Sequence, residues 1–152
     1  LLEDVLVRLR AGLGANHEDA ARAMASSWCL SADAGHSVHP NYAEKHDPNV
    51  HPLAGDGPML KVNANQRYAT DAHGEALWQR LCEHAGVPSQ VFVSNNSVPC
   101  GSTIGPLTAT RLGMRTLDAG VPLLSMHSVR ELVHVDDLHG LARVANSFFT
   151  GV

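Results

Sequence analysis

Charge is scarce in this 152-residue chain: Asp, Glu, Lys and Arg make up 17% of it, against roughly 25% in typical globular domains. Long apolar runs are missing too. No stretch approaches the roughly 18 residues that a membrane span needs, and no basic segment followed by an apolar one opens the chain as a secretory leader would. A cytoplasmic protein without membrane contact is expected. Lys and Arg nowhere cluster, and 11 of them against 15 Asp and Glu leave a net charge of −4, so a nucleic-acid binder is excluded on electrostatic grounds. Cysteine is limited to Cys29, Cys82 and Cys100, odd in number, far apart and without a C-x-x-C. That excludes a disulfide scaffold and a thiolate zinc site, and suits a reducing compartment.

What is present is apolar material and histidine. Apolar residues reach 44%, enough for a core, and roughly 150 residues is one domain's length. Ten histidines occur, four of them between His36 and His51. Imidazole is both the commonest metal ligand and the general base available near neutral pH.

Apolar spacing predicts helices over Leu1–Leu13 (Leu2, Val5, Leu6, Leu9 and Leu13 on one face), His17–Ala25, Asp71–Ala85, Ile104–Leu112 and Asp136–Phe149. In the last helix Leu138, Leu141, Val144, Ala145 and Phe148 are expected to face inward. Short apolar runs predict strands at 28–32, 59–62, 90–93, 116–118 and 121–126. Between the first two strands lies a long loop rich in Pro, Gly, Asn and Asp, reaching Gly57, and loops of that length inside a domain are commonly functional. Strands alternating with helices give an α/β layered fold. Several strands lack a covering helix, as in a partial domain.

Four stretches carry candidate chemistry. Asp33, His36 and His39 follow a strand end at intervals of three, where α/β folds place their sites; alternatively His39-Pro40 shapes a turn and His36 bonds backbone. His46 and His51 read as solvated loop residues. His127 also follows an apolar run, with Arg130 and Glu131 behind it as partners able to fix a ligating imidazole, or it is a capping histidine. Lys61 stands among apolar neighbours, so its ammonium either enters a pocket, pairs with a carboxylate or snorkels to the surface. Cys100–Pro106 resembles a nucleophile elbow, but its centre is Thr103, which argues against a serine hydrolase. Its backbone donors are suited to an anion or simply to a tight turn.

Four segments in this order resemble the aspartyl aminopeptidase family, dinuclear zinc exopeptidases related to vacuolar aminopeptidase I. They are SADAGHSVHPNY at 31–42, GPMLKVNANQRYATD at 57–71, PCGSTIGP at 99–106 and LSMHSVRE at 124–131. The resemblance implies an αβα layered mixed sheet of the zinc exopeptidase (phosphorylase/hydrolase-like) type and hydrolysis of N-terminal Asp or Glu from peptide substrates by water activated between two Zn(2+) ions. It implies Asp33 as ligand to one zinc and also a substrate contact, His127 as ligand to the other, and His36, Lys61 and Tyr68 as residues that hold the substrate. An ammonium at Lys61 suits an acidic first residue. A homo-oligomer is implied as well, the family's dodecamer.

The same resemblance marks what residues 1–152 do not carry. The family's first zinc-binding histidine, its bridging aspartate, its paired glutamates (the general base among them) and its dimerisation insert match nothing here. The chain is therefore expected to be the C-terminal portion of a catalytic domain, inactive and weakly zinc-binding by itself. A truncated or degenerate paralogue acting as a binding or assembly module is the competing expectation. Beyond Phe92-Val93, Asn95 and Ser97 stand where the family tends to have an Arg and an Asp, and that touches substrate preference.

Overall fold

The computed structural model describes residues 1–102 and 104–151. Two helices, α1 (Leu2–Gly12) and α2 (His17–Ser26), precede strand β1 (Trp28–Ala32). A capping box starts α2, Asn16 and Asp19 each accepting the other's backbone N–H. The chain continues through β2 (Gly35–His36), a 3-10 turn at Ala43–Lys45, β3 (Met59–Val62), α3 (Ala72–Ala85) and β4 (Gln90–Val93). It ends with α4 (Ile104–Leu112), β5 (Arg115–Gly120), β6 (Pro122–Leu124), β7 (Leu132–Val133) and α5 (Val135–Thr150). Asp71 caps α3 by accepting the Gly74 N–H, and Gly86 closes that helix in the left-handed conformation that glycine tolerates.

A four-stranded mixed sheet runs in the order β1-β5-β3-β4, with β5 and β3 antiparallel and the outer pairs parallel. A second, three-stranded sheet is ordered β2-β6-β7. The expected mixed α/β architecture is what the chain adopts, divided between two sheets. Strand alternation assigns the faces. Leu117 and Ala119 of β5 and Leu60 of β3 face Trp78, Leu81 and Cys82 of α3 and Val144 of α5, forming the main core. The residues between them point the other way: Asp118 meets Gly105 of α4, and Met59 joins Tyr68 and Phe92 in a second apolar cluster. Helix α4 covers β1 and β5 on this second face, while the Asp33–Gly57 segment and the loop after β4 border its other half. The site lies there.

One expectation about α5 is corrected. Leu138 is exposed, and the buried stripe is Asp137, Gly140, Val144 and Ser147. Asp137 enters the interior because its two carboxylate oxygens accept the N–H groups of Gly55 and Gly57, at 2.7 and 2.8 Å. Leu141, Val144 and Phe148 still pack into or against the main core as expected, so the departure is confined to Leu138 at the first turns. All three cysteines are free thiols.

Candidate active site

The site grows out of the β1–β5 pair. Beyond β1 the two chains stay hydrogen-bonded, Asp33, Gly35 and Ser37 donating their N–H groups to the carbonyls of Ala119, Val121 and Leu123 at 2.9–3.0 Å. This brings β2 beside β6, with His36 opposite Leu123. Gly120 permits the approach, since a Cβ there would lie 1.6 Å from the Asp33 carbonyl oxygen. Asp33 thus emerges at the C-terminal end of a parallel strand, the position at which open α/β sheets display functional side chains.

Lys61 comes to Asp33 from β3. Its Nζ donates to Asp33 Oδ2 at 3.0 Å and to the Ala34 carbonyl at 2.8 Å, and lies 5.4 Å from the centre of the Tyr68 ring. Of the alternatives for Lys61, pairing with a carboxylate is the one adopted: the residue is 1% exposed, whereas the Asp33 side chain keeps 41%. Gly35 packs against the end of the Met59 side chain, where a Cβ would lie 2.1 Å from Met59 Cε. Tyr68 is buried edge-on against Phe92, ring centroids 6.1 Å apart. Burial above all, and its hydrogen bond with Cys100, push its phenol far above the usual range, so Tyr68 stays a protonated donor.

His36 is exposed at β2, and partial desolvation, then the neighbouring His127 and Lys61, push its imidazole below the usual value. His127 is therefore within electrostatic reach of His36, although they stand on different chain segments. It sits in a turn with φ of +67°, two residues after Ser125 at +58°, conformations uncommon for residues other than glycine. Glu131 holds that turn by accepting the His127 backbone N–H at 2.6 Å, so its observed bond is to the backbone. His39 takes the turn-shaping role: its Nδ1 accepts the Asn41 N–H at 3.1 Å, and its ring lies against Tyr42.

His36, His39 and Tyr68 border a cavity of about 490 Å³, lined also by Lys45, His46 and Phe92 among others, within the size range of small-ligand sites; Asp33, Lys61 and His127 are not among its lining residues. His46 corrects an expectation. It is 8% exposed, its ring edge-on to Phe92 at 6.1 Å, because an antiparallel bridge to Ser94 draws its segment onto the end of β4. Burial pushes its imidazole down, the Ser37 carbonyl opposes that, and His36 and His51 add to it. His51 is exposed as expected.

Three participants escaped the sequence reading. Asp118 is fully buried and accepts the Ala69 N–H at 2.6 Å. Gly105 at the start of α4 is packed against its carboxylate, where a Cβ would lie 2.1 Å from Oδ1. An anion of the chain's own thus lies at the helix start suited to one. The elbow's centre, Thr103, lies outside the described residues. His46 is the second, and the third is the bonding of Asn95, a position marked only as a departure from the family pattern, whose Nδ2 donates to the Glu44 and His46 carbonyls.

Zinc accepts carboxylate oxygen and imidazole nitrogen, usually three or four donors together. Asp33 and His127 offer the right atoms, but among the described residues no group of three or more His, Cys, Asp and Glu is gathered for one ion. The donor set fits part of a zinc shell.

Comparison with known proteins agrees with this partial character. The chain belongs to the family described as aminopeptidase I zinc metalloprotease (M18), whose profile matches residues 1–149. A probable M18 family aminopeptidase 2 from Streptomyces avermitilis is 58% identical over 151 residues, which are 99% of this chain and 35% of that protein. Among solved structures, Ape4 in its complex with Nbr1 superposes with a TM-score of 0.93 at 43% identity, covering 98% of this chain and 28% of the other. The mApe1 dodecamer of S. cerevisiae gives 0.82 at 34% identity, covering 99% and 33%. The chain spans about a third of the length of the relatives it matches.

Proposed function

We propose that this chain is the C-terminal portion of a zinc aminopeptidase domain that removes acidic residues from peptide N-termini. The observation that carries this is the Asp33–Lys61 pair at the end of β1, beside a cavity whose lining holds Lys45 and three histidines and no carboxylate. Such a wall favours an anionic side chain. In this reading Asp33 and His127 each hold one of two zincs, and the other ligands and the general base come from the part of the domain that residues 1–152 do not span. Zinc, when bound, polarises the scissile carbonyl and lowers the pKa of its water.

The chain's own residues bind and orient. An ammonium has three N–H donors. Asp33 and Ala34 take two from Lys61, which leaves one for a substrate oxygen. Tyr68, held protonated, donates a hydrogen bond from the same side, and His36, its charged form disfavoured, hydrogen-bonds as a neutral imidazole. Assembly into a dodecamer is proposed for the complete protein, by analogy with mApe1.

Residues 1–152 alone are expected to show no aminopeptidase activity, and the missing part of the domain, supplied from the Streptomyces avermitilis relative, is expected to restore it. In the restored enzyme Asp33→Ala and His127→Ala should each lower turnover by more than about 100-fold, since even residues that only support metal ligands cost 10–100-fold when lost. Side-by-side hydrolysis of Asp- and Leu-anilides, with zinc quantified in each preparation, checks this. Failure of the supplied segment to restore turnover would favour the non-catalytic module.

A further inference from the structure

Three residues other than glycine take a positive φ among the described residues: Gln66 at +54°, Ser125 at +58° and His127 at +67°. Two of them fall in one loop, the connection between β6 and β7 that the paired Leu124 and Leu132 close. Residues in such conformations persist only where their surroundings over-determine them, and they gather at functional sites. The loop presents Ser125 and Met126 to the cavity, and its His127 stands within electrostatic reach of His36. Hydrogen bonds inside the loop hold it. The Ser128 N–H donates to the Ser125 carbonyl, and the Arg130 N–H to the Ser128 hydroxyl, both at 3.0 Å. The His127 N–H donates to Glu131 Oε1 at 2.6 Å. That bond is the shortest of the three and the charge-assisted one, a kind roughly twice as strong as a neutral bond. It is also the one that fixes His127 itself. Glu131 adjoins β7, and among the described residues its carboxylate has no other partner.

We infer that Glu131 is a positioning residue: its carboxylate locks the His127 backbone in the left-handed conformation and so aims the imidazole at the zinc that residue is proposed to hold. The inference rests on the ligand role given to His127 in the aminopeptidase reading and adds the device that orients it. Relaxing φ from +67° to an ordinary right-handed value of about −65° would swing the Cα–Cβ bond about the N–Cα axis by roughly 130°. Binding constellations tolerate only about 10–20°, so an imidazole displaced that far is lost as a ligand. Acting through the backbone rather than the ring, Glu131 also leaves both ring nitrogens of His127 uncommitted among the described residues. The bond asks for nothing but an acceptor oxygen at the end of a side chain of this length. Glutamine supplies one through its amide and alanine does not.

The test has two arms. The first follows the 152-residue chain by NMR and needs no metal. The His127 amide proton should lie far downfield, with the Cα and Cβ shifts of a left-handed residue. Glu131→Ala should move both toward ordinary values, and Glu131→Gln should keep most of the pattern. Ser128→Ala removes the other side-chain bond of the loop and should leave His127 unmoved. The second arm follows zinc release to a chelator from the restored enzyme. Glu131→Ala should weaken zinc retention about tenfold, the lower end of what losing a ligand's support costs, Glu131→Gln should recover most of that loss, and Ser128→Ala should match the wild type. Shifts of His127 that ignore Glu131→Ala, or a Ser128→Ala variant that loses zinc as readily as Glu131→Ala, overturn the inference. His127→Ala separates its failure from that of the aminopeptidase reading. If His127→Ala releases zinc while Glu131→Ala holds it as tightly as the wild type, the inference falls and the reading stands. If His127→Ala keeps its full zinc content, the ligand role falls and this inference with it.

Discussion

At the scale of single residues, the Asp33–Lys61 pair is asymmetric, and the asymmetry has a measurable consequence. The Lys61 side chain is 2% exposed and that of Asp33 41%, so water can serve the carboxylate but not the ammonium. Asp33→Ala leaves a buried charge with the Ala34 carbonyl as its remaining bond, whereas Lys61→Met leaves a carboxylate that solvent reaches. Removing one partner of a fully buried pair costs about 3–5 kcal/mol. With one partner half in water, about 2 kcal/mol is expected for Asp33→Ala and under about 1 kcal/mol for Lys61→Met, the range of exposed pairs. Urea midpoints of the two variants check the order, and a larger loss for Lys61→Met would contradict it. The residue types at 33, 36, 61, 68 and 127 were legible because motif resemblance is read from side-chain identity. Asn95 was marked only as a departure from the family pattern, and neither its bonds to the Glu44 and His46 carbonyls nor the burial of His46 was legible, because both come from a contact between segments about fifty residues apart.

At the scale of elements, the sequence reading located every helix to within about two residues, since each carries an apolar stripe at helical spacing and a cap or glycine near an end. It was right about Leu141, Val144 and Phe148 of α5 and wrong about which other residues turn inward. In α1 Leu2, Val5, Leu9 and Leu13 of the stripe are exposed and Leu6 is half-buried, so periodicity revealed a helix and not what covers it. In α5 a carboxylate outranks a leucine, because Asp137 satisfies two backbone donors that would otherwise be buried unpaired. Strands β2 and β7, two residues each, are too short to have a period and owe their existence to β6. Asp137→Asn should therefore destabilise the fold by about 1–3 kcal/mol, the cost of leaving a buried donor unmatched, because the amide replaces one acceptor oxygen with a donor facing an N–H. Asp136→Asn, one position away and exposed, is the control and should cost less than about 0.5 kcal/mol. Equal unfolding midpoints for the two variants would show that the 55–57 turn is not held by Asp137.

At the scale of the whole molecule, the site side of the sheet gathers imidazoles, and that sets how stability depends on pH. His36 is depressed by desolvation, then by His127 and Lys61. His46 is depressed by burial, with the Ser37 carbonyl working against the shift and His36 and His51 with it. A histidine whose folded pKa lies below the unfolded value of about 6.5 takes up its proton more readily when unfolded. Between that value and the lower folded one the unfolded chain binds more protons, so stability rises with pH. The contribution is complete above about pH 6.5 and is lost as the pH falls through the folded values. Each such histidine adds at most about 1.4 kcal/mol per pH unit in that window. Urea midpoints between pH 7 and 5, above the range where most carboxylates titrate, should fall on acidification. His46→Gln, which removes one of the two groups and keeps a polar side chain of similar reach, should make the fall shallower and leave the midpoint at pH 7.5 free of the acid-dependent part. If the wild type and His46→Gln lose stability with the same slope, His46 takes up its proton equally in the folded and unfolded chains across that range, and its burial in the cavity wall is not what couples this fold to pH.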